Sequence, residues 1–351
     1  MPEIRTREMS IQPQPGRTPF IFIGASSGGV YAMLDLVAAL PAGFPSPIFF
    51  VQHIGARRSE LAELLNRRGA NRAVQAREGD VPEAGTIYVA PPDHHMLLEG
   101  GVVRLNRGPK EHHARPAIDP LFRSAALSCG PAAVGVVLTG GLDDGSAGLR
   151  AIKDCGGTVV VQDPEDAHEP SMPRAALDAV EPDHVVVLAE LPALLLRLAV
   201  PMPDDRHFDA PDELRREYAV ALGDQAVENL KAIAQPSLFS CPDCGGVLFE
   251  LDDKRLVRYR CHTGHAFSLR TLAATQEQVA DAALWTGLRA LQEKESILRR
   301  LARTQESSVP GSGAACLREA DQLSGLASAL RKLTMKAPEA ADFDAPARPH
   351  P

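Results

Sequence analysis

The sequence predicts an α/β fold built on a doubly wound, mostly parallel sheet with helices on both faces. A small cysteine-bearing unit and a helical hairpin follow it. Three observations lead there. Between residues 20 and 200, short β-branched and aromatic runs alternate with amphipathic helical segments, as in βαβ units. Most of those runs are apolar throughout instead of alternating, as expected of strands covered on both faces. Farther on, Cys241-Pro-Asp-Cys244 and Cys261-His-Thr-Gly-His265 bracket sixteen residues that contain two strand-like segments.

Taken in order, residues 1–18 are polar, contain three prolines and read as a disordered N-terminus. Within 19–200, strands are expected at 20–23, 48–52, 86–90, 135–139, 158–162 and 184–188. Helices are expected at 30–40, 59–66, 120–129, 145–154 and 173–179, and a hairpin appended to the sheet at 96–99 and 101–105. Proline and aspartate mark a linker that opens 201–238, which also holds an amphipathic helix at 218–234. The cysteine unit occupies 239–268. Leucine stripes predict two long helices, 269–305 and 315–332, packed as an antiparallel hairpin within 269–335. A Pro- and Ala-rich tail, 336–351, reads as disordered.

The 351 residues are 44% hydrophobic, enough for a substantial core, and the formal net charge of -8 argues against a nucleic-acid binder. No apolar run approaches the roughly 20 residues of a membrane span, and the N-terminus has no apolar core of a secretory signal. A cytoplasmic protein with reduced thiols is therefore expected, with no direct membrane insertion.

The first strand runs straight into Gly24-Ala-Ser-Ser-Gly-Gly29 and then into a helix. Such a turn either presents a nucleophilic serine or cradles a dinucleotide phosphate. The dinucleotide reading requires a catalytic Tyr-x-x-x-Lys, and none of Tyr31, Tyr88, Tyr218 and Tyr259 has Lys four positions on. No acidic residue closes the second strand either; it ends Val51-Gln-His53. The nucleophile reading requires an imidazole and a carboxylate near Ser26. His53 ends the second strand, and Asp143 and Asp144 follow the strand at 135–139, so all lie on the carboxyl edge of one parallel sheet. Singly, Ser26 and Asp144 also read as helix caps and His53 as a loop histidine; their joint placement favours chemistry.

The segments Ile23-Gly-Ala-Ser-Ser-Gly-Gly29, Val51-Gln-His53, Ala90-Pro-Pro-Asp-His-His-Met96, Arg115-Pro-Ala-Ile-Asp-Pro-Leu-Phe-Arg-Ser-Ala125, Leu138-Thr-Gly-Gly-Leu-Asp-Asp-Gly145 and Met172-Pro-Arg174 resemble the chemotaxis-type protein-glutamate methylesterases, the CheB family, in family order. The resemblance covers about half of the chain. It implies a serine esterase that hydrolyses glutamate methyl esters on a chemoreceptor or receptor-like signalling protein, releases methanol and deamidates glutamine. It places the nucleophile on Ser26, the histidine on His53 and the aspartate on Asp144, with backbone oxyanion donors at Ser27 and Gly141 and no cofactor for catalysis. The family usually has Met where Gly141 stands. The receiver domain that usually precedes the catalytic domain has no counterpart in this sequence. His94, His95, His112 and His113 read as surface or substrate-groove residues, and Arg115 and Asp119 as braces. A catalytically silent scaffold, recruiting a partner through its C-terminal half, is the alternative.

Two ligand pairs at the ends of a hairpin describe a zinc-ribbon-like unit with a structural zinc ion. Cys241, Cys244 and Cys261 supply three ligands; His265 is the preferred fourth and His262 the alternative. A redox Cys-x-x-Cys is disfavoured because a Gly-Gly turn and a strand follow instead of a helix. Cys129, Cys155 and Cys316 read as buried packing thiols.

Overall fold

Phe20-Ile-Phe-Ile-Gly-Ala forms the central strand β1 (Phe20–Ala25), and the sheet grows from it in both directions. In the computed structural model, residues 18–55, 58–201, 208–253, 255–309 and 311–335 are described. The expected disordered termini fall outside these residues, apart from residue 18. After β1 the chain forms α1 (Gly29–Ala39), β2 (Ile48–Gln52), α2 (Leu61–Arg68), β3 (Arg72–Gln75) and β4 (Thr86–Val89). A hairpin follows, β5 (His95–Glu99) and β6 (Val102–Asn106). Then come α3 (Ile118–Cys129), β7 (Ala133–Val137), α4 (Ser146–Asp154), β8 (Thr158–Gln162), α5 (Ser171–Ala179), β9 (His184–Val186) and α6 (Leu191–Leu198).

Seven strands lie in the order β3-β4-β2-β1-β7-β8-β9, and every pairing is parallel. Side chains of β1 alternate between two cores. Ile21, Ile23 and Ala25 meet Met33, Leu36 and Val37 of α1 on one face; Phe22 meets Ile118, Leu121 and Phe122 of α3 on the other. The sheet is thus buried on both sides, which is why its strands are continuous apolar runs. The chain builds outward from β1 to one side and returns to build the other, so the carboxyl ends of β1, β2 and β7 meet at the switch of direction.

Within residues 19–238 the expected strand and helix pattern is present with four differences. Helix α6 was not anticipated. The edge strand β3 was not anticipated; its four residues carry too short a pattern to read. The hairpin β5–β6 forms its own two-stranded sheet and is not an extension of the main one. The single helix expected at 218–234 is two helices, α7 (Asp212–Leu222) and α8 (Ala226–Ile233). Gly223 (φ 80°) and Gln225 (φ 39°) adopt left-handed backbone between them and end the first helix.

Residues 208–271 pack in the same unit as the sheet. Ala210 and Leu214 enter the core beside α3. An antiparallel sheet follows, in the order β10 (Ala234–Ser240), β11 (Val247–Leu251), β12 (Arg258–Cys261) and β13 (Ala266–Ser268). Helix α9 (Leu269–Ser308) starts in this unit. From Leu272 the second unit contains the rest of α9 and α10 (Ala314–Thr334); Gly287 beside Leu330 and Ala302 beside Gly313 mark their antiparallel pairing, and Lys294–Glu319 and Arg299–Asp321 are ion pairs between them. Cys129 and Cys155 are buried as expected, whereas Cys316 is only partly covered, on a helix with few buried side chains.

Candidate active site

Ser26, His53 and Asp144 each follow a strand at the carboxyl rim. The parallel ladder continues one residue past the strands, through Ser26 N to Thr139 O and His53 N to Ala25 O, and sets the spacing of the three. Ser26 Oγ lies 3.0 Å from His53 Nδ1, and His53 Nε2 lies 2.7 Å from Asp144 Oδ2. A carboxylate can only accept, so Nε2 carries the proton it donates to Asp144 and Nδ1 is free to accept from the serine hydroxyl. Asp144 is buried, whereas His53 is 21% exposed, so the line runs from interior to solvent.

The turn after β1 explains the presentation of Ser26. Gly28 takes φ 78°, a conformation open to glycine, and starts α1 immediately behind the serine. Gln52 donates to Ser26 O at 2.7 Å and holds the turn from β2. Gly140 is equally constrained: a Cβ there would come within 2.9 Å of Ser26 Cβ and 2.7 Å of Met172 Cε. A Cβ on Gly141 would meet nothing within 4 Å, so a side chain there would have open space. The amides of Ser26, Gly29 and Gly140 are all engaged in backbone bonds; those of Ser27 and Gly141 donate to no protein group among the described residues.

Asp144 is fixed by the first amides of α3. Its Oδ2 accepts Ile118 N–H at 2.7 Å and its Oδ1 accepts Asp119 N–H at 3.0 Å. Asp119 in turn accepts Gly148 N–H of α4 at 2.7 Å. Asp144 thus caps the helix that carries Asp119, and Asp119 accepts from the first turn of the helix that follows Asp144. Burial alone would raise the Asp144 pKa. The charge of His112, the bond from His53 and the Ile118 amide outweigh it and hold the group well below the usual carboxylate range.

Sequence reasoning missed His112. Its side chain is only 6% exposed, with Nε2 2.9 Å from Asp119 Oδ2 and 3.7 Å from Asp144 Oδ1. Burial opposes its charge, but Asp144, Asp119 and Asp143 together raise its pKa to about 10. His95 is buried: Nε2–H donates to Pro109 O at 2.9 Å, Nδ1 accepts from Ala117 N–H, and burial lowers its pKa. The reading of these two as surface residues is corrected; their partners come from later in the chain and leave no local mark. His113 is exposed and pairs with Asp243. Arg115 clasps Asp93 and Gly108 O.

At the other end of β12, Cys241, Cys244, Cys261 and His265 bring one ligand atom each to within 4.8 Å of one another. Cys244 Sγ and Cys261 Sγ are 3.8 Å apart and Cys261 Sγ is 3.5 Å from His265 Nδ1. Tetrahedral Zn–S bonds of about 2.3 Å give a sulfur–sulfur edge near 3.8 Å, so the donor set fits zinc in type and size. His262 packs on Gly246, outside this group.

Fold and rim together describe an α/β protein with the serine–histidine–carboxylate geometry of a hydrolase. Comparison with known proteins sharpens this. The CheB methylesterase family model matches residues 21–195. A provisionally named protein-glutamate methylesterase/protein-glutamine glutaminase of Leptospira interrogans is 39% identical over 180 residues, 51% of this chain and 93% of that protein. The enzymes so named from Anaeromyxobacter dehalogenans and Pyrococcus abyssi are 38% and 39% identical; the matches cover 56% and 50% of this chain, and 58% and 50% of theirs. The crystal structure of the Thermotoga maritima CheB methylesterase catalytic domain is similar with a TM-score of 0.50 and 30% identity, covering 52% of this chain and 99% of that one. The chain belongs to the CheB methylesterase family, and residues beyond 195 lie outside the family match.

Proposed function

We propose that the chain hydrolyses γ-methyl esters of glutamate side chains on a partner protein, with Ser26 as nucleophile. The hydrogen-bonded line Ser26–His53–Asp144, in a chain of this family, carries the reading. Ser26 Oγ attacks the ester carbonyl as His53 Nδ1 takes its proton. Asp144 keeps the other ring nitrogen protonated and stabilises the imidazolium. The tetrahedral oxyanion is met by the unengaged amides of Ser27 and Gly141, each such donor being worth about 3–4 kcal/mol. His53 returns the proton to departing methanol, and water then cleaves the acyl-serine by the same route. An amide would leave as ammonia, so glutamine deamidation needs no other machinery; the relatives' names pair the two activities.

The partner we favour is a methylated chemoreceptor or receptor-like signalling protein. The setting we favour is the cytoplasm, in keeping with six free thiols. Among the described residues, no helix is long and apolar enough to cross a membrane. Methanol release from a methylated receptor fragment, compared between the natural chain and Ser26→Ala, tests the reading. Release by the natural chain alone supports it; equal, negligible release from both leaves the silent scaffold.

Catalysis itself uses no cofactor in this scheme. We assign the Cys241, Cys244, Cys261 and His265 group to a structural Zn²⁺, since four protein ligands leave no open position. One zinc per chain by elemental analysis, with Cys241 and Cys244 protected from alkylation until chelation, is expected. Metal-free protein with freely alkylated thiols would refute it.

A further inference from the structure

We propose that Ser268 and Thr271, at the start of α9, act with His112 as positioning residues for the catalytic carboxylate. The C-terminal extension, outside the family match, would thereby set the geometry of the triad. The inference rests on the esterase reading above and adds to it a control from outside the matched segment.

Asp143 Oδ1 accepts the hydroxyls of Ser268 at 2.7 Å and Thr271 at 3.0 Å. Ser268 Oγ also accepts Thr271 N–H at 2.9 Å, capping α9, so both hydroxyls are held in place by the helix they begin. Asp143 and Asp144 are consecutive, and Leu142 before them sits at φ 62°, a left-handed conformation that leucine adopts only when its surroundings impose it. Anchoring Asp143 from the extension therefore fixes the turn that aims Asp144 at His53.

The same threonine reaches the triad from a second side. Because Thr271 Oγ1 gives its proton to Asp143, it must accept at its 3.3 Å contact with His112 Nδ1. At the other ring nitrogen, Nε2, the partners are the carboxylates of Asp119 and Asp144, which can only accept. Both nitrogens therefore carry protons, and His112 is an imidazolium on hydrogen-bond accounting alone. The backbone of the same residue is held by the extension, through His112 N–H to Ala266 O at 2.8 Å.

The groups facing this ring are Asp119 from α3, Asp143 and Asp144 from the turn after β7, and Thr271 from α9. Its chain neighbour Glu111 turns away to Arg123 and Arg260. The imidazolium balances part of the three-carboxylate charge, so Asp144 stays ionised and oriented. It also draws on Asp144 in competition with His53.

The test is the methanol-release assay on the full chain with Ser268→Ala/Thr271→Val, Thr271→Ser and His112→Gln. For the double variant, kcat should fall about tenfold with KM within twofold and an unchanged melting midpoint. Thr271→Ser, which keeps the hydroxyl, should restore the rate. In His112→Gln, loss of the cation should move the acid limb of the kcat profile to higher pH. Natural chain that turns over beside an equally active double variant would overturn this proposal and leave the esterase reading standing. Natural chain no faster than Ser26→Ala would overturn both. A fall in kcat matched by a fall in melting midpoint, without rescue by Thr271→Ser, would reduce the pair to a structural role and also overturn it.

Discussion

Glu111 and His112 are neighbours in the chain and face opposite charged clusters. Behind α3, Glu111 and Glu217 share Arg123, Arg258 and Arg260, with contacts of 2.6 Å from Arg123 to Glu111, 2.7 Å from Arg258 to Glu217 and 2.9 Å from Arg260 to Glu217. At the rim, His112 meets Asp119, Asp143 and Asp144. The rear cluster uses guanidinium groups, which do not give up protons at accessible pH; Glu111, Arg123, Glu217 and Arg260 are buried, and Arg258 is partly exposed. The rim uses imidazole, the side chain that exchanges a proton near neutrality, and opens to solvent through His53. Both clusters bury charge at a desolvation cost. The rear one fastens the extension to α3 with charges that stay fixed near neutral pH; the rim carries charge that has to move during a reaction.

This contrast predicts that rim and rear variants fail in different ways, and the largest difference should be in rate. Asp144→Asn keeps the size of the side chain but no longer holds His53 in the reactive tautomer. A loss of about 10⁴ in kcat is expected, with substrate affinity little changed. A loss under tenfold in steady-state methanol release would show that Asp144 is a helix cap and nothing more.

The rear cluster should fail in stability. Glu111→Gln removes the anion paired with the buried guanidinium groups of Arg123 and Arg260, and breaking such a pair costs about 3–5 kcal/mol. Denaturant titration should register that loss, while kcat of the folded fraction falls far less than in Asp144→Asn. If kcat collapsed with stability untouched, the division between the two clusters would be wrong.

How far the sequence foretold this arrangement depends on how local each signal is. The strand–turn–helix at Ser26, His53 at the end of β2 and Asp144 at the entry to α4 were each legible within a dozen residues, because a parallel sheet brings its strand ends to one rim. The convergence of Cys241, Cys244, Cys261 and His265 was legible from the Cys-x-x-Cys spacing, with His265 already preferred to His262. The rear cluster was not: Glu111, Arg123, Glu217, Arg258 and Arg260 come from four separate segments, and a charged residue in a sequence reads as surface. His112 was missed for the same reason, since its partners lie at 119, 143, 144 and 271. The break at Gly223 was readable in hindsight as a glycine at the end of a helix, with Asp224 and Gln225 extending the turn before α8 starts.

The smallest expected effect separates the clusters by pH. Burial would raise the Glu111 pKa, but Arg123 and Arg260 lower it from 4.5 to about 2. Its contribution to stability is therefore complete above pH 4.5 and is lost as pH falls toward about 2. His112 works with the opposite sign. Its pKa is raised from 6.5 to about 10, so its contribution is complete below pH 6.5 and is lost as pH rises from there to about 10. One proton linked to unfolding gives a slope of at most about 1.4 kcal/mol per pH unit. Unfolding free energies across pH 3–10 should thus show an acid arm, to which Glu111 of the rear cluster and Asp144 of the rim both contribute, and an alkaline arm to which His112 of the rim contributes. In His112→Gln the alkaline arm should flatten between pH 6.5 and 10 while the acid arm persists. An alkaline arm of unchanged slope in that variant would mean that the rim charge is not linked to folding, and the two clusters would then differ in chemistry alone.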